Sequence, residues 1–405
     1  MSTQFKAKSP FYPGQPVPVE FFVGRSEQIN RILQRGVSQV ANGKPVSIFI
    51  QGEYGIGKSS IAGFVQSVAE IKQGLLGIYA PLGGVEGLSG LATSIVSATL
   101  RAGVYDPNRS EKIRNWLAKY VGQQELFGIK INLEKIKQDS VQLSTPHQML
   151  EFLGETYNRL KDSGIKGIFL VLDEINGITS SPQFSHFIKG LVDQNALSQK
   201  PVPLLLMLCG VEEKRREMIQ KHQPIDRIFD VIQIDSMNSN EMEEFFTKAF
   251  NSEKMTVTKE AMDLLTHFSA GFPKIMHLVG DCAYWLDTDG EIDKEDAFRA
   301  ILTAAEEVGK KYVDQQVYKA LRSEDYKSIL NKIAKMGPDI MSFNRSEISS
   351  GLTEREKKKV DNFFRKMKSL KVIRPGDSKG EYIFNMRMVR LYIWMQSTQN
   401  AYIKK

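Results

Sequence analysis

The sequence predicts an α/β fold: a parallel sheet with helices on both faces, then an all-helical unit, then a small unit of three helices and a β-hairpin. Three observations carry this expectation. Continuous apolar runs at 46–51, 76–82, 167–172, 203–210 and 231–234 alternate with segments of helical period. Strands apolar throughout are buried on both faces, which requires helical crossovers between parallel neighbours. A glycine-rich stretch at 52–59 lies between the first apolar run and a helical pattern, and from Ser239 onward helical spacing replaces the apolar runs. The 405 residues are 41% hydrophobic and 25% charged, an ordinary globular composition long enough for about two or three domains.

Taken in order, residues 1–24 hold Pro10, Pro13, Gly14, Pro16 and Pro18 and read as an extended leader, ending in Phe21-Phe22-Val23-Gly24-Arg25. The α/β core is expected over 25–236, opened by a helix with Ile29, Ile32 and Leu33 on one face. Residues 88–100 and 149–160 have helical period. Between them, 104–145 break the alternation and read as an insertion, with strand-like alternation at Phe127–Leu133. A contact element and a solvated surface insert both fit it. A helical lid is expected at 237–305, with helices at 241–250, 259–268, 275–286 and from 293, followed by a linker helix at 306–318. The last unit, 319–398, is expected to place helices at 325–335, 345–349 and 353–369 before a hairpin of 372–374 and 381–384. Three helices and a hairpin are the layout of a winged helix, a helix-turn-helix variant. Residues 384–395 read as a final amphipathic helix packed on the wing.

The stretch Gly52-Glu53-Tyr54-Gly55-Ile56-Gly57-Lys58-Ser59 fits G-x-x-x-x-G-K-[ST], the phosphate-cradling P-loop. Its backbone N–H groups, continuing into Ser60, would surround the β-phosphate, and the helix N-terminus adds partial positive charge. Lys58 would reach the β/γ-phosphates and the Ser59 hydroxyl would ligate Mg²⁺, so ATP and Mg²⁺ are the expected cofactors. The strand 168–172 ends in Asp173-Glu174. It is expected to lie beside the P-loop strand, delivering Asp173 to the Mg²⁺ shell and leaving Glu174 to polarise the attacking water. Arg227 precedes the last strand of the sheet, where an ion pair with Asp226 or Asp230 is one role open to it.

On four segments the chain resembles the AAA+ and STAND group of P-loop ATPases, akin to origin-recognition initiators and TnsC/TniB-type transposition regulators. The segments are Phe22-Val23-Gly24-Arg25, the P-loop, the Asp173-Glu174 strand and Gly271-Phe272-Pro273. The resemblance implies that Val23 and Gly24 pack by the adenine and that Pro273 sits at the turn where the lid touches nucleotide. It also implies a second role for Arg227, as an arginine finger inserted into a neighbouring subunit's site. The chain departs from the group in two places. The strand after Asp-Glu ends Leu208-Cys209-Gly210-Val211, without a polar sensor residue. The lid arginine has no match, and Lys274 would offer a point charge in place of a planar fork.

The net charge of +7 is concentrated: residues 345–374 hold ten Lys or Arg against four Asp or Glu. Lys357, Lys358, Arg365 and Lys368 fall on the face of the third helix left free by Val360, Phe363, Phe364, Met367 and Leu370. A cationic third helix suits double-stranded DNA, since phosphate contacts gain from counterion release. A solvated face on a protein-docking winged helix is the alternative. Cys209 and Cys282 lack metal-site spacing, the five histidines are scattered, and Met1–Lys6 opens no apolar h-region. No apolar run approaches the ~18–20 residues of a membrane span, so a reduced, cytoplasmic setting is expected. Two functions follow. One is an ATP-driven switch that self-associates as a ring or filament on DNA and serves replication initiation, transposition targeting or mobile-element defence, with a nuclease, transposase or other effector as partner. The other is a STAND-type signalling switch whose winged helix contacts protein.

Overall fold

The computed structural model describes residues 6, 8–15, 23–102, 144–321, 323–337, 340–376 and 378–403. The insertion expected from 104 lies outside them apart from its last two residues, as do Phe21 and Phe22. Two compact units result: Pro16–Ser236, and a second made of Met1–Gln15 together with Met237–Lys405.

In the first unit, β1 (Val46–Gly52), β2 (Leu75–Pro81), β3 (Gly167–Asp173), β4 (Leu204–Gly210) and β5 (Asp230–Ile234) form one parallel sheet in the order β2-β3-β4-β1-β5. Every residue of β3 and β4 is buried, which is why neither shows polar alternation. The expected adjacency of the P-loop strand and the Asp173 strand is corrected. β4 lies between them, pairing Met207 with Ile48 of β1 and Leu206 with Leu170 of β3. Lateral order depends on how the crossovers run, and the apolar pattern within a strand does not record it. The helices packed on the sheet are α1 (Ser26–Ile32), α2 (Lys58–Gln73), α3 (Gly87–Arg101), α4 (Pro146–Leu160), α5 (Pro182–Leu197) and α6 (Glu212–Lys221). Neither α5 nor α6 was expected from periodicity; Met218 is the one buried side chain of α6. Phe49, Ile78, Leu91, Phe152, Leu170, Phe184 and Leu206 share one core cluster, joining the sheet to α3, α4 and α5.

The second unit begins with α7 (Ser239–Ser252), α8 (Lys259–Ser269), α9 (Pro273–Leu286) and α10 (Lys294–Val308). Asn238 and Asp293 cap α7 and α10 reciprocally with Glu241 and Asp296, satisfying first-turn N–H groups. A two-residue parallel pairing, β6 (Thr256–Val257) with β7 (Glu291–Ile292), was not expected after Ser239. The leader segment docks here. Phe11, only 4% exposed, meets Phe250 edge-on at 4.9 Å and Phe245 at 5.9 Å between ring centroids. Its ring sits on the bare backbone of Gly280, where a Cβ would collide with it. Tyr12 N donates to His277 Nδ1 at 3.2 Å, and Lys6 pairs with the buried carboxylate of Asp287 at 2.8 Å.

Beyond a π-helical stretch at Gly309–Tyr318 come α11 (Glu324–Ala334), β8 (Ser342–Asn344), α12 (Arg345–Ser349), α13 (Glu354–Lys357), α14 (Val360–Ser369), β9 (Ile373–Pro375), β10 (Glu381–Phe384) and α15 (Arg387–Ile403). β10 is central and antiparallel to both β8 and β9. Two details differ from expectation. Three-residue β8 is too short to show a period. The helix expected at 353–369 is split, because Lys359 N bonds Glu356 O at 2.9 Å and tightens the chain between α13 and α14. Arg390, fully buried on α15, donates to the carbonyls of Ile333, Ala334 and Ile340 at 3.1 Å and to that of Gly337. It thereby supplies donors at the C-terminal end of α11, where helix carbonyls lack their own N–H partners.

Candidate nucleotide site

The P-loop leaves β1 at Gly52 and enters α2 at Lys58. A Cβ on Gly52 would lie 2.6 Å from Ile234 O, so the loop departs against β5 backbone. Gly57 precedes the helix at φ 101°, a conformation open to glycine and strained for other residues. Lys58 Nζ donates to the carbonyls of Gly52 at 2.9 Å and Glu53 at 2.7 Å, and lies 5.7 Å from the exposed Tyr54 ring. Burial lowers the Lys58 pKa, while Cys209, Asp173, Glu174 and Glu53 pull the other way. A bound polyanion would relieve that burial cost.

At the end of β3, Asp173 is 5% exposed. Its Oδ1 accepts Glu174 N–H at 2.8 Å and its Oδ2 accepts the Tyr79 hydroxyl at 2.5 Å. Burial first, and Asp173 second, push the Tyr79 phenol well above its usual range, with a hydrogen bond from Ser59 opposing them. Glu174 is exposed and left-handed at φ 56°. Such backbone costs about 1–2 kcal/mol per non-glycine residue and is concentrated at functional sites. Its Oε2 lies over Gly83, where a Cβ would collide with it. Cys209, at the end of β4, is fully buried, and that burial raises its thiol pKa.

Two further residues shape the site. Arg25, buried and left-handed at φ 62°, donates to Asp235 O and, at 3.3 Å, to Ile56 O inside the P-loop. Half-buried Val23 and Gly24 immediately precede it. Gln51, one residue before the loop, donates to Gln233 at 2.8 Å and accepts from Arg215 Nε at 2.9 Å. Both carboxylates once open to Arg227 are taken: Asp226 pairs with Arg215 and Asp230 with Arg31. Arg227 is exposed and makes no ion pair among the described residues.

The first unit thus brings Lys58, Ser59, Asp173 and Glu174 together. Pro273 and Lys274 belong to the second unit, where Pro273 opens α9 and Lys274 is exposed. In the same unit, Lys357 pairs with Glu354 at 2.8 Å on α13, and Lys358 is exposed. Arg365 and Lys368 are exposed on α14, with Lys368 Nζ 5.9 Å from the Tyr382 ring centroid. Ion pairs occupy Arg345, Arg355, Lys357 and Lys359.

A parallel sheet in this order, with a P-loop on β1 and an Asp-Glu pair ending β3 two places away, has the layout of a P-loop nucleotide-binding fold. Neither a family model nor a curated protein sequence matches the chain. Among solved structures it is similar to the Walker-type ATPase PABY2304 of Pyrococcus abyssi, with TM-score 0.59 and 16% identity over 92% of this chain and 96% of that one. It is also similar to the ORC2 protein of Aeropyrum pernix in ADPNP–ADP complexes, with TM-score 0.58 and 12% identity over 98% and 97% of the two chains. At 16% and 12% identity the likeness is one of fold, and it runs over nearly the whole of each chain. No described helix is long and apolar enough to cross a membrane.

Proposed function

We propose that the protein is an ATP-binding and ATP-hydrolysing AAA+ switch that assembles on double-stranded DNA. The convergence of Lys58, Ser59, Asp173 and Glu174 carries this reading. These residues fit a magnesium–triphosphate: glycines admit the close approach, the N-terminus of α2 faces the loop, and a half-buried ammonium lies within electrostatic reach of two carboxylates. When bound, Mg²⁺ would neutralise charge developing on the transferred phosphoryl group. Lys58 would turn from the Gly52 and Glu53 carbonyls to the phosphates. Ser59 and Asp173 would hold the metal and its water, and Glu174 would orient the attacking water and accept its proton. Val23 and Gly24 would border the base. The exposure of Arg227, with its neighbouring carboxylates occupied, supports a finger role toward a second copy in a ring or filament.

The DNA limb of the proposal rests on Lys358, Arg365 and Lys368, which are exposed, and on Lys357 beside them. We read the surrounding fold of α11–α15 with β8–β10 as a winged helix. Replication initiation, transposition targeting and mobile-element defence are roles such a switch would suit, with a nuclease or transposase as effector. A STAND-type signalling switch is the second reading, favoured by Cys209 standing where a polar sensor would be. Calorimetry with Mg²⁺–ADP and Mg²⁺–ATP tests the common core. Lys58→Ala should weaken uptake by about 10–100-fold, the equivalent of a hydrogen bond to a charged group at 1.5–3 kcal/mol. No uptake by folded wild type would overturn both readings. Reversing Lys358, Arg365 and Lys368 to Glu should abolish duplex binding with nucleotide uptake intact; unchanged DNA affinity would leave only the signalling switch.

A further inference from the structure

We propose that Tyr79 is a positioning residue for the divalent metal, its phenol fixing the Asp173 carboxylate beside Ser59 so that it receives the metal's water shell. The inference rests on the nucleotide reading above. Tyr79 pairs with Val171 in the β2–β3 register. Asp173 is two residues further along β3, so the two side chains share one face of the sheet. The phenol donates to Oδ2 at 2.5 Å, and Glu174 N–H donates to Oδ1 at 2.8 Å. An ionised carboxylate offers about four acceptor positions. One donor on each oxygen fixes the rotation of the group and leaves each oxygen able to accept again. Ser59, the second residue expected to hold the metal, stands at the start of α2 beside Lys58, which lies within electrostatic reach of Asp173. Packing alone does not require this oxygen, because phenylalanine would fill nearly the same space. Mg²⁺ tolerates little departure from octahedral geometry and keeps several of its waters, so the direction of a protein acceptor matters. Partners of this kind typically change metal affinity by about 10–100-fold when removed.

The test is Tyr79→Phe, read by Mg²⁺ titration of fluorescent ADP bound to the full chain, with a parallel binding curve in EDTA. The Mg²⁺ concentration for half-maximal tightening should rise by about 10–100-fold, while ADP affinity in EDTA stays at the wild-type value. In an Asp173→Asn background the same change should shift the Mg²⁺ requirement no further. An unchanged Mg²⁺ midpoint would reduce the phenol to packing. A lowered midpoint would make it a competitor of the metal, and an equal shift in both backgrounds would separate it from Asp173. Each of these overturns the proposal while leaving nucleotide binding in place. Absence of ADP uptake by wild type, with or without Mg²⁺, would instead remove the nucleotide reading beneath it.

Discussion

Acid should loosen the second unit through His277. His277 is 4% exposed, packed against Phe245 at 4.8 Å, and accepts Tyr12 N–H on Nδ1 at 3.2 Å. That bond needs the neutral ring, and burial alone pushes the pKa from 6.5 down to about 4. Above pH 6.5 folded and unfolded chains are both neutral here, and the site's stability is fully present. Between 6.5 and about 4 the unfolded chain binds a proton that the folded chain does not, so stability falls with pH. At 1.36 kcal/mol per pKa unit the loss reaches about 3 kcal/mol at the acid end of that window. Against the opposing effect of burial, Asp287 is lowered from 3.8 by Lys6 and the Gly290 and Asp289 amides, and Glu356 from 4.5 to about 2 by Lys332, Ser328 and Thr353. Both lose their own contributions at the acid end in wild type and variant alike, so the difference between the two proteins isolates His277. The assay is urea unfolding followed by tryptophan fluorescence at successive pH values, for wild type and His277→Gln. Wild type should lose stability over this window with a slope approaching 1.4 kcal/mol per pH unit, and the variant should lack that component. Equal slopes in the two proteins, or a flat wild-type profile, would refute the reasoning.

Glu174→Gln should bind ATP as wild type does but hydrolyse it about 10²–10⁴-fold more slowly; equal turnover in a steady-state phosphate-release assay would remove Glu174 as the base. Arg227→Ala should leave nucleotide affinity unchanged and slow ATP hydrolysis in the assembled state by about 10³–10⁵-fold, and undiminished turnover in assemblies would end its finger role. Arg390→Met should destabilise the second unit by about 1–3 kcal/mol, the range for leaving buried acceptors without a donor. The P-loop should still take up ADP, and a melting temperature within a degree or so of wild type would show that the α11 carbonyls have other donors.

Much of the first unit was legible in the sequence because its signals are local. β3 and β4 are apolar without interruption, and the P-loop combines a fixed glycine spacing with Lys58 and Ser59. What stayed hidden depends on contacts between distant segments. β4 separates β1 from β3 without any residue of β3 recording it. Tyr79 is one tyrosine in an apolar run until the β2–β3 register brings it to Asp173. Arg25 and Arg390 each spend their guanidinium on main-chain carbonyls, and a carbonyl has no sequence signature. Phe11 carries no signal of its own among the prolines, because the pocket made by Phe245, Phe250 and Gly280 lies far along the chain. The two-residue β6 and β7 and the three-residue β8 are shorter than any alternation that could reveal them.

The docked leader makes the P-loop core an insertion, in sequence, within the unit that carries the basic helix. Lys6 and Asp287 are 281 residues apart, and closing a flexible loop of that length costs about 5 kcal/mol. A core that has already folded shortens the free path, so the order of synthesis matters. During synthesis Lys6, Phe11 and Tyr12 wait for partners as distant as His277 and Asp287, and the core matures in between. A fragment beginning at Met237 would be born with the Phe11 socket open, its phenylalanines bare to water. Supplying residues 1–15 as a separate peptide should close that wound in trans.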